Sequence, residues 1–163
     1  LSTAALAAGN HGSHDNHGNH GGHANHGGHS SHGDGHAESA IGKPGVAAKA
    51  KRSITVEMSD DMRFSPANIA VSQGETVRFV VKNVGKVKHE FSLGTEQELK
   101  EHYELMKKFP DMVHDEPNKI SLAPGQQGEV IWQFTKAGNV DFACLHPGHY
   151  DAGMKGQVKV GKK

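Results

Sequence analysis

Cysteine occurs once in the 163 residues, as Cys144. One cysteine excludes an internal disulfide, so cysteine usage assigns no redox compartment. Excess charge is missing too: 18 Lys and Arg balance 18 Asp and Glu. Nothing in that balance favours nucleic acid or an acidic partner. No apolar run approaches the roughly 18 residues a membrane-spanning helix needs. The length leaves room for one domain and an appendage.

Histidine and glycine are abundant instead. Residues 1–8, Leu-Ser-Thr-Ala-Ala-Leu-Ala-Ala, look like the end of a secretory signal, with small residues at a cleavage site. Residues 9–36 form a low-complexity tail. His11, His14, His17, His20, His23, His26, His29 and His32 recur every third position, followed by His36, with Gly, Asn and Ser between them. Almost no apolar surface offsets the entropy of ordering such a segment, so a disordered tail is expected. Neutral imidazoles suit copper, nickel and zinc, which makes the tail a metal buffer of low specificity. Residues 37–52, with Gly42-Lys43-Pro44-Gly45 and then Ala and Lys, read as a linker.

Folded sequence is expected over 53–163. Ile54–Met58 alternates apolar and polar, the period of a half-buried strand. Ser59–Pro66 reads as a loop, and Ile69–Val71, Thr76–Lys82 and His89–Leu93 as further strands. In the last of these His89 shares a face with Phe91 and Leu93. Thr95–Phe109 changes character. Leu99, Tyr103 and Met106 fall on one helical face, Thr95 and Glu98 resemble a capping box, and Pro110 ends the element. His102, Met106, Met112 and His114 of this region are either helix core with exposed histidines or a second soft-metal site. Strands then recur at Lys119–Leu122, Gly128–Thr135, Val140–Cys144 and Gly156–Val160, with Trp132 in the core. About seven or eight short strands with regular turns predict an all-β sandwich carrying one inserted helix.

The densest chemistry lies in Cys144-Leu-His146-Pro-Gly-His149-Tyr-Asp-Ala-Gly-Met154. Thiolate, imidazole and thioether are the donors copper prefers. The spacing is Cys-x4-His-x4-Met, and the Pro147-Gly148 turn lets the loop double back. His149 can then reach a metal held by Cys144, and Met154 can approach axially. The second imidazole has to come from a distant strand, where His89 is the candidate. The set His89, Cys144, His149 and weak axial Met154 describes a mononuclear redox copper centre. The plainer alternative is a buried structural cysteine beside a polar turn; ligand types and spacing favour copper. No open coordination position has a base beside it, so an enzyme is not indicated.

The loop Phe142–His149 with Gly153-Met154 resembles that of cupredoxins, especially the azurin and rusticyanin branch. The stretches Met58–Phe64, Gly85–Glu90 and Phe134–Gly138 are similar to the CopI-type copper-tolerance cupredoxins of bacterial periplasms. The resemblance covers most of 53–160. It implies a Greek-key β-sandwich, one copper ion on His89, Cys144, His149 and Met154, and a periplasmic monomer. Two departures from azurin-like loops stand out: His146 replaces an apolar residue, and Glu90 follows the first histidine where Asn or Ser is usual. Two functions are open. One is copper tolerance, with the tail gathering copper ions. The other is electron transfer to a redox partner protein.

Overall fold

The computed structural model describes residues 39–112 and 116–163. The expected signal remnant, the histidines of the tail and His114 lie outside the described residues. Among the described residues the chain forms two five-stranded sheets, β1-β8-β5-β2-β3 and β4-β10-β9-β6-β7. The strands are β1 (Lys43–Pro44), β2 (Arg52–Ser59), β3 (Arg63–Ser65), β4 (Asn68–Ser72), β5 (Thr76–Asn83), β6 (His89–Gly94), β7 (Lys119–Leu122), β8 (Gln127–Gln133), β9 (Gly138–Ala143) and β10 (Lys155–Gly161). Helix α1 (Glu96–Lys108) sits between β6 and β7 in the chain. This is the anticipated sandwich with one inserted helix.

Alternation builds the core. Val77, Phe79 and Val81 of β5 face inward beside Val130 and Trp132 of β8, all buried. Phe64, Phe91 and Phe142 pack edge-on or tilted, with ring centroids 5.1–6.0 Å apart. Such aromatic pairs add to their area burial. β6 is buried along its whole length because both faces are covered. His89, Phe91 and Leu93 face the core. The opposite face meets α1, where an added methyl on Gly94 would lie 3.0 Å from Leu99. Leu99, Tyr103 and Met106 are the buried face of α1, packed on Ala143 and Leu145. Thr95 caps the helix: its hydroxyl accepts from the Glu98 amide at 3.1 Å, and the capping box is complete.

Two expectations need correction. Residues 39–52 are not a free linker. β1 pairs with β8, Ile41 is 5% exposed, and the Trp132 indole donates to the Ile41 carbonyl at 2.7 Å. One isoleucine and an otherwise unsatisfied indole N–H decide what a Gly-, Ala- and Lys-rich composition hides. The folded unit therefore starts before Ser53. Secondly, Ser59–Pro66 is not all loop. Arg63–Ser65 pairs with β2 and buries Phe64 between exposed neighbours.

Candidate metal centre

β9 runs into the ligand loop and delivers Cys144 at the edge of the core, fully buried. The loop closes on itself. Cys144 N–H donates to the Met154 carbonyl at 3.1 Å, and Met154 N–H donates to the His149 carbonyl at 3.2 Å. The His149 amide donates to the His146 carbonyl at 3.0 Å, forming the turn around Pro147 and Gly148. Gly148 and Gly153 have φ of +86° and +94°, a region where side chains are strained, so both reversals need glycine. Two contacts brace the loop from outside. Arg63 Nη1 donates to the Ala152 carbonyl at 3.0 Å. The Tyr103 hydroxyl accepts from Gly148 N–H at 3.0 Å and donates to Asp151 at 2.8 Å.

The expected ligands meet here. One donor atom each from His89, Cys144 and His149 lies within 4.8 Å of the others. His149 Nδ1 is 3.4 Å from Cys144 Sγ. The His89 and His149 rings have centroids 5.1 Å apart. His89 Nε2 contacts Asp60 Oδ1 at 2.9 Å, whereas buried Nδ1 has no hydrogen-bond partner. An orphaned imidazole nitrogen in a core is costly unless something occupies it. Met154 is fully buried in the same cluster as Cys144, Phe91 and Phe142. Two imidazoles, a thiol and a thioether, three of these four side chains fully buried, fit a copper ion and leave no unexplained donor among the four.

His146 stands beside this set and not in it: its ring centroid is 5.6 Å from that of His149. Burial holds its pKa, like that of His149, below the usual histidine value, so both rings are neutral at pH 7. Burial also pushes the Cys144 thiol up to about 11, against the opposing effect of backbone N–H groups of Glu90 and His146. The Glu90 N–H reaches Sγ at 3.3 Å. The Glu90 carboxylate turns away to the Ser92 and Ser121 hydroxyls. Of the suggested second site, Met106 is in the helix core and His102 is half-buried. Pro147 is exposed, while Phe91 and Phe142 are packed in the core with Cys144.

Sequence reading missed Asp60 and the hydroxyl of Tyr103. Asp60 lies 29 positions from His89 with no spacing rule to connect them. The Lys86 amide, and then His89, hold its carboxyl below the usual aspartate value.

The comparisons agree with this geometry. Residues 50–161 match the model of the copper binding proteins, plastocyanin/azurin family. The chain is 55% identical over 124 residues to the copper-resistant cuproprotein CopI of Rubrivivax gelatinosus, covering 76% of this chain and 75% of that one. It is 41% identical over 150 residues to the CopI of Pseudomonas aeruginosa, covering 74% of this chain and 82% of the relative. Among solved structures it is similar to auracyanin B, with TM-score 0.61 and 23% identity over 77% of this chain and 99% of that one. Auracyanin A, a "blue" copper protein of Chloroflexus aurantiacus, gives TM-score 0.57 and 25% identity over 67% and 98%. With its family match spanning the strands from β2 to β10, the chain belongs to the plastocyanin/azurin family of copper-binding proteins and is a cupredoxin.

Proposed function

We propose that the protein is a periplasmic, monomeric cupredoxin of copper tolerance, not an enzyme, with a redox copper on His89, Cys144, His149 and Met154. The convergence of three donor atoms within 4.8 Å, two of them on fully buried residues, carries this reading. Copper held there supplies a one-electron couple between Cu(I) and Cu(II). The chain's own residues do the rest. β6 and the ligand loop hold the donors close together, so little rearrangement would accompany a change of charge on the metal. Phe91 and Phe142 keep the sulfur side dry. The Glu90 N–H points at the sulfur, where it stabilises thiolate charge.

Copper tolerance is favoured over a pure electron carrier by two features. The relatives of highest identity quoted above are named copper-resistant cuproproteins. The nine imidazoles from His11 to His36 form a metal-capturing segment for which an electron carrier has no use.

Titration with Cu(II) under a visible spectrum tests the centre. A thiolate-to-copper band is expected in the native protein, absent in Cys144→Ser and retained in His146→Ala. Removing residues 1–36 should keep the band and reduce the copper bound per chain. In a copper-sensitive host, Cys144→Ser should protect less well than this truncation. Full protection by Cys144→Ser with none from the truncated protein would make the tail the functional unit and sink the proposal.

A further inference from the structure

We propose that Asp60 is a positioning residue for the copper centre: its carboxylate fixes the tautomer and tilt of His89 and biases the centre toward Cu(II). This inference rests on the copper reading above. Asp60 Oδ1 lies 2.9 Å from His89 Nε2, and His89 is 0% exposed. An ionised carboxylate only accepts hydrogen bonds, so Nε2 carries the proton and Nδ1 presents its lone pair. Nδ1 is the buried nitrogen without a partner. A carboxylate, an imidazole and a metal in line is the arrangement that raises ligand basicity and locks ring orientation.

Asp60 is exposed, with 38% of its side-chain surface accessible, but its carboxylate is held in place by the loop beside it. Its Oδ2 accepts from the Lys86 amide at 2.6 Å, and Oδ1 lies 3.4 Å from the Val87 amide. The 85–88 connection is therefore wrapped around this carboxylate. Gly85 shows how closely: a methyl group there would fall on the carboxyl oxygens of Asp60. Gly85 has no positive φ, so the requirement for glycine is spatial. The Gly85 amide is tied to Asn83 Oδ1 at 2.9 Å, and Asn83 is in turn anchored to the Val87 and Leu122 carbonyls. The acid thus links β2, the loop and the first imidazole of the centre.

The sign of the effect follows from charge. A negative group hydrogen-bonded to a ligand stabilises the more highly charged metal ion more than the less charged one. Removing it should weaken Cu(II) more than Cu(I) and raise the potential. Loss of such a partner typically costs about 10–100-fold in metal affinity. A tenfold loss of Cu(II) over Cu(I) corresponds to a rise of about 59 mV for one electron.

The test uses the full chain loaded with copper, an optical redox titration, and nitrogen-15 NMR of the His89 ring in the metal-free protein. Asp60→Asn removes the charge and keeps one acceptor oxygen, which can stay on Nε2 while the Lys86 amide gives up its bond. It should fold, keep the thiolate band, keep the proton on Nε2 and show the raised potential. Asp60→Ala should raise the potential at least as far and release the tautomer. Gly85→Ala displaces the carboxylate without touching a ligand, and serves with the same expected rise if Asp60→Asn does not accumulate. A potential equal to the native one in Asp60→Asn (or in Gly85→Ala used in its place), or a native His89 protonated on Nδ1, overturns the proposal. A native protein with no thiolate band would overturn the copper reading instead, so the two failures are distinguishable.

Discussion

His89 and His149 offer the same imidazole to the same centre, yet they are held in opposite ways. His89 belongs to a strand bonded on both sides, has no exposed surface, and has its far nitrogen on Asp60. His149 belongs to a loop, is half-buried, and is positioned through the backbone of its neighbours. One ligand is fixed by the fold and the other by a brace. The difference teaches where the centre can tolerate change. Under the proposed redox reading, rigidity at His89 would preserve the donor geometry when the charge on the metal changes, and the exposed edge at His149 would be the side within reach of an electron donor or acceptor.

The sharpest way to break this comparison is to delete each ring. His149→Gly should lose the thiolate band and regain it when free imidazole is added, because the vacated volume opens to solvent. His89→Gly should lose the band and stay without it, because its space is closed and Asp60 remains beside it. Equal rescue of both variants would show that the two positions do not differ in access. A second, smaller effect concerns protons. The metal-free thiol of Cys144 is held protonated up to about 11. Copper uptake must release that proton. Apparent affinity should therefore rise about tenfold per pH unit from about pH 7 towards the thiol value. His149 contributes no further slope above pH 7, since burial keeps its pKa below the ordinary one. A competition titration giving a slope near two at pH 7.5 would mean that an imidazole is still charged there, against the neutral ring described above.

The same contrast explains what the sequence revealed. Cys144, His149 and Met154 were legible because they are local: donor type, spacing and the Pro147-Gly148 turn all sit in one short run. His89 was legible by need and by parity, as the histidine on the inward face of a strand with Phe91 and Leu93. The inserted helix was legible from Thr95, Glu98 and the Leu99, Tyr103, Met106 face. Asp60 was not, since a carboxylate in a turn looks like every other solvated acid until the fold sets it against β6. Ile41 was not, because a single apolar residue among Gly, Ala and Lys carries no period. Arg63–Ser65 was too short to show alternation beyond one buried Phe64. Long-range pairing decided each of these, and composition and spacing do not encode it.

The smallest effect tests the brace on His149. Tyr103 was readable as a helix-core residue, and its ring is 3% exposed. Its hydroxyl does something the helix does not need: it accepts from Gly148 N–H and donates to Asp151, on either side of His149. Tyr103→Phe keeps the ring and removes only these two bonds. Gly148 is exposed and can turn to water, so the lost stability should be near a single ordinary hydrogen bond, about 1 kcal/mol in a urea titration. The local consequence should be larger than the global one. Hydrogen exchange at the Gly148 and His149 amides should speed up, while that of the β6 amides stays at the native rate. Met154 and Cys144 remain tied to each other through the backbone, so the thiolate band should keep its position. Unchanged exchange at both loop amides would mean that the turn around Pro147 holds His149 without help. The contrast between a ligand fixed by the sheet and one fixed by a brace would then reduce to exposure alone.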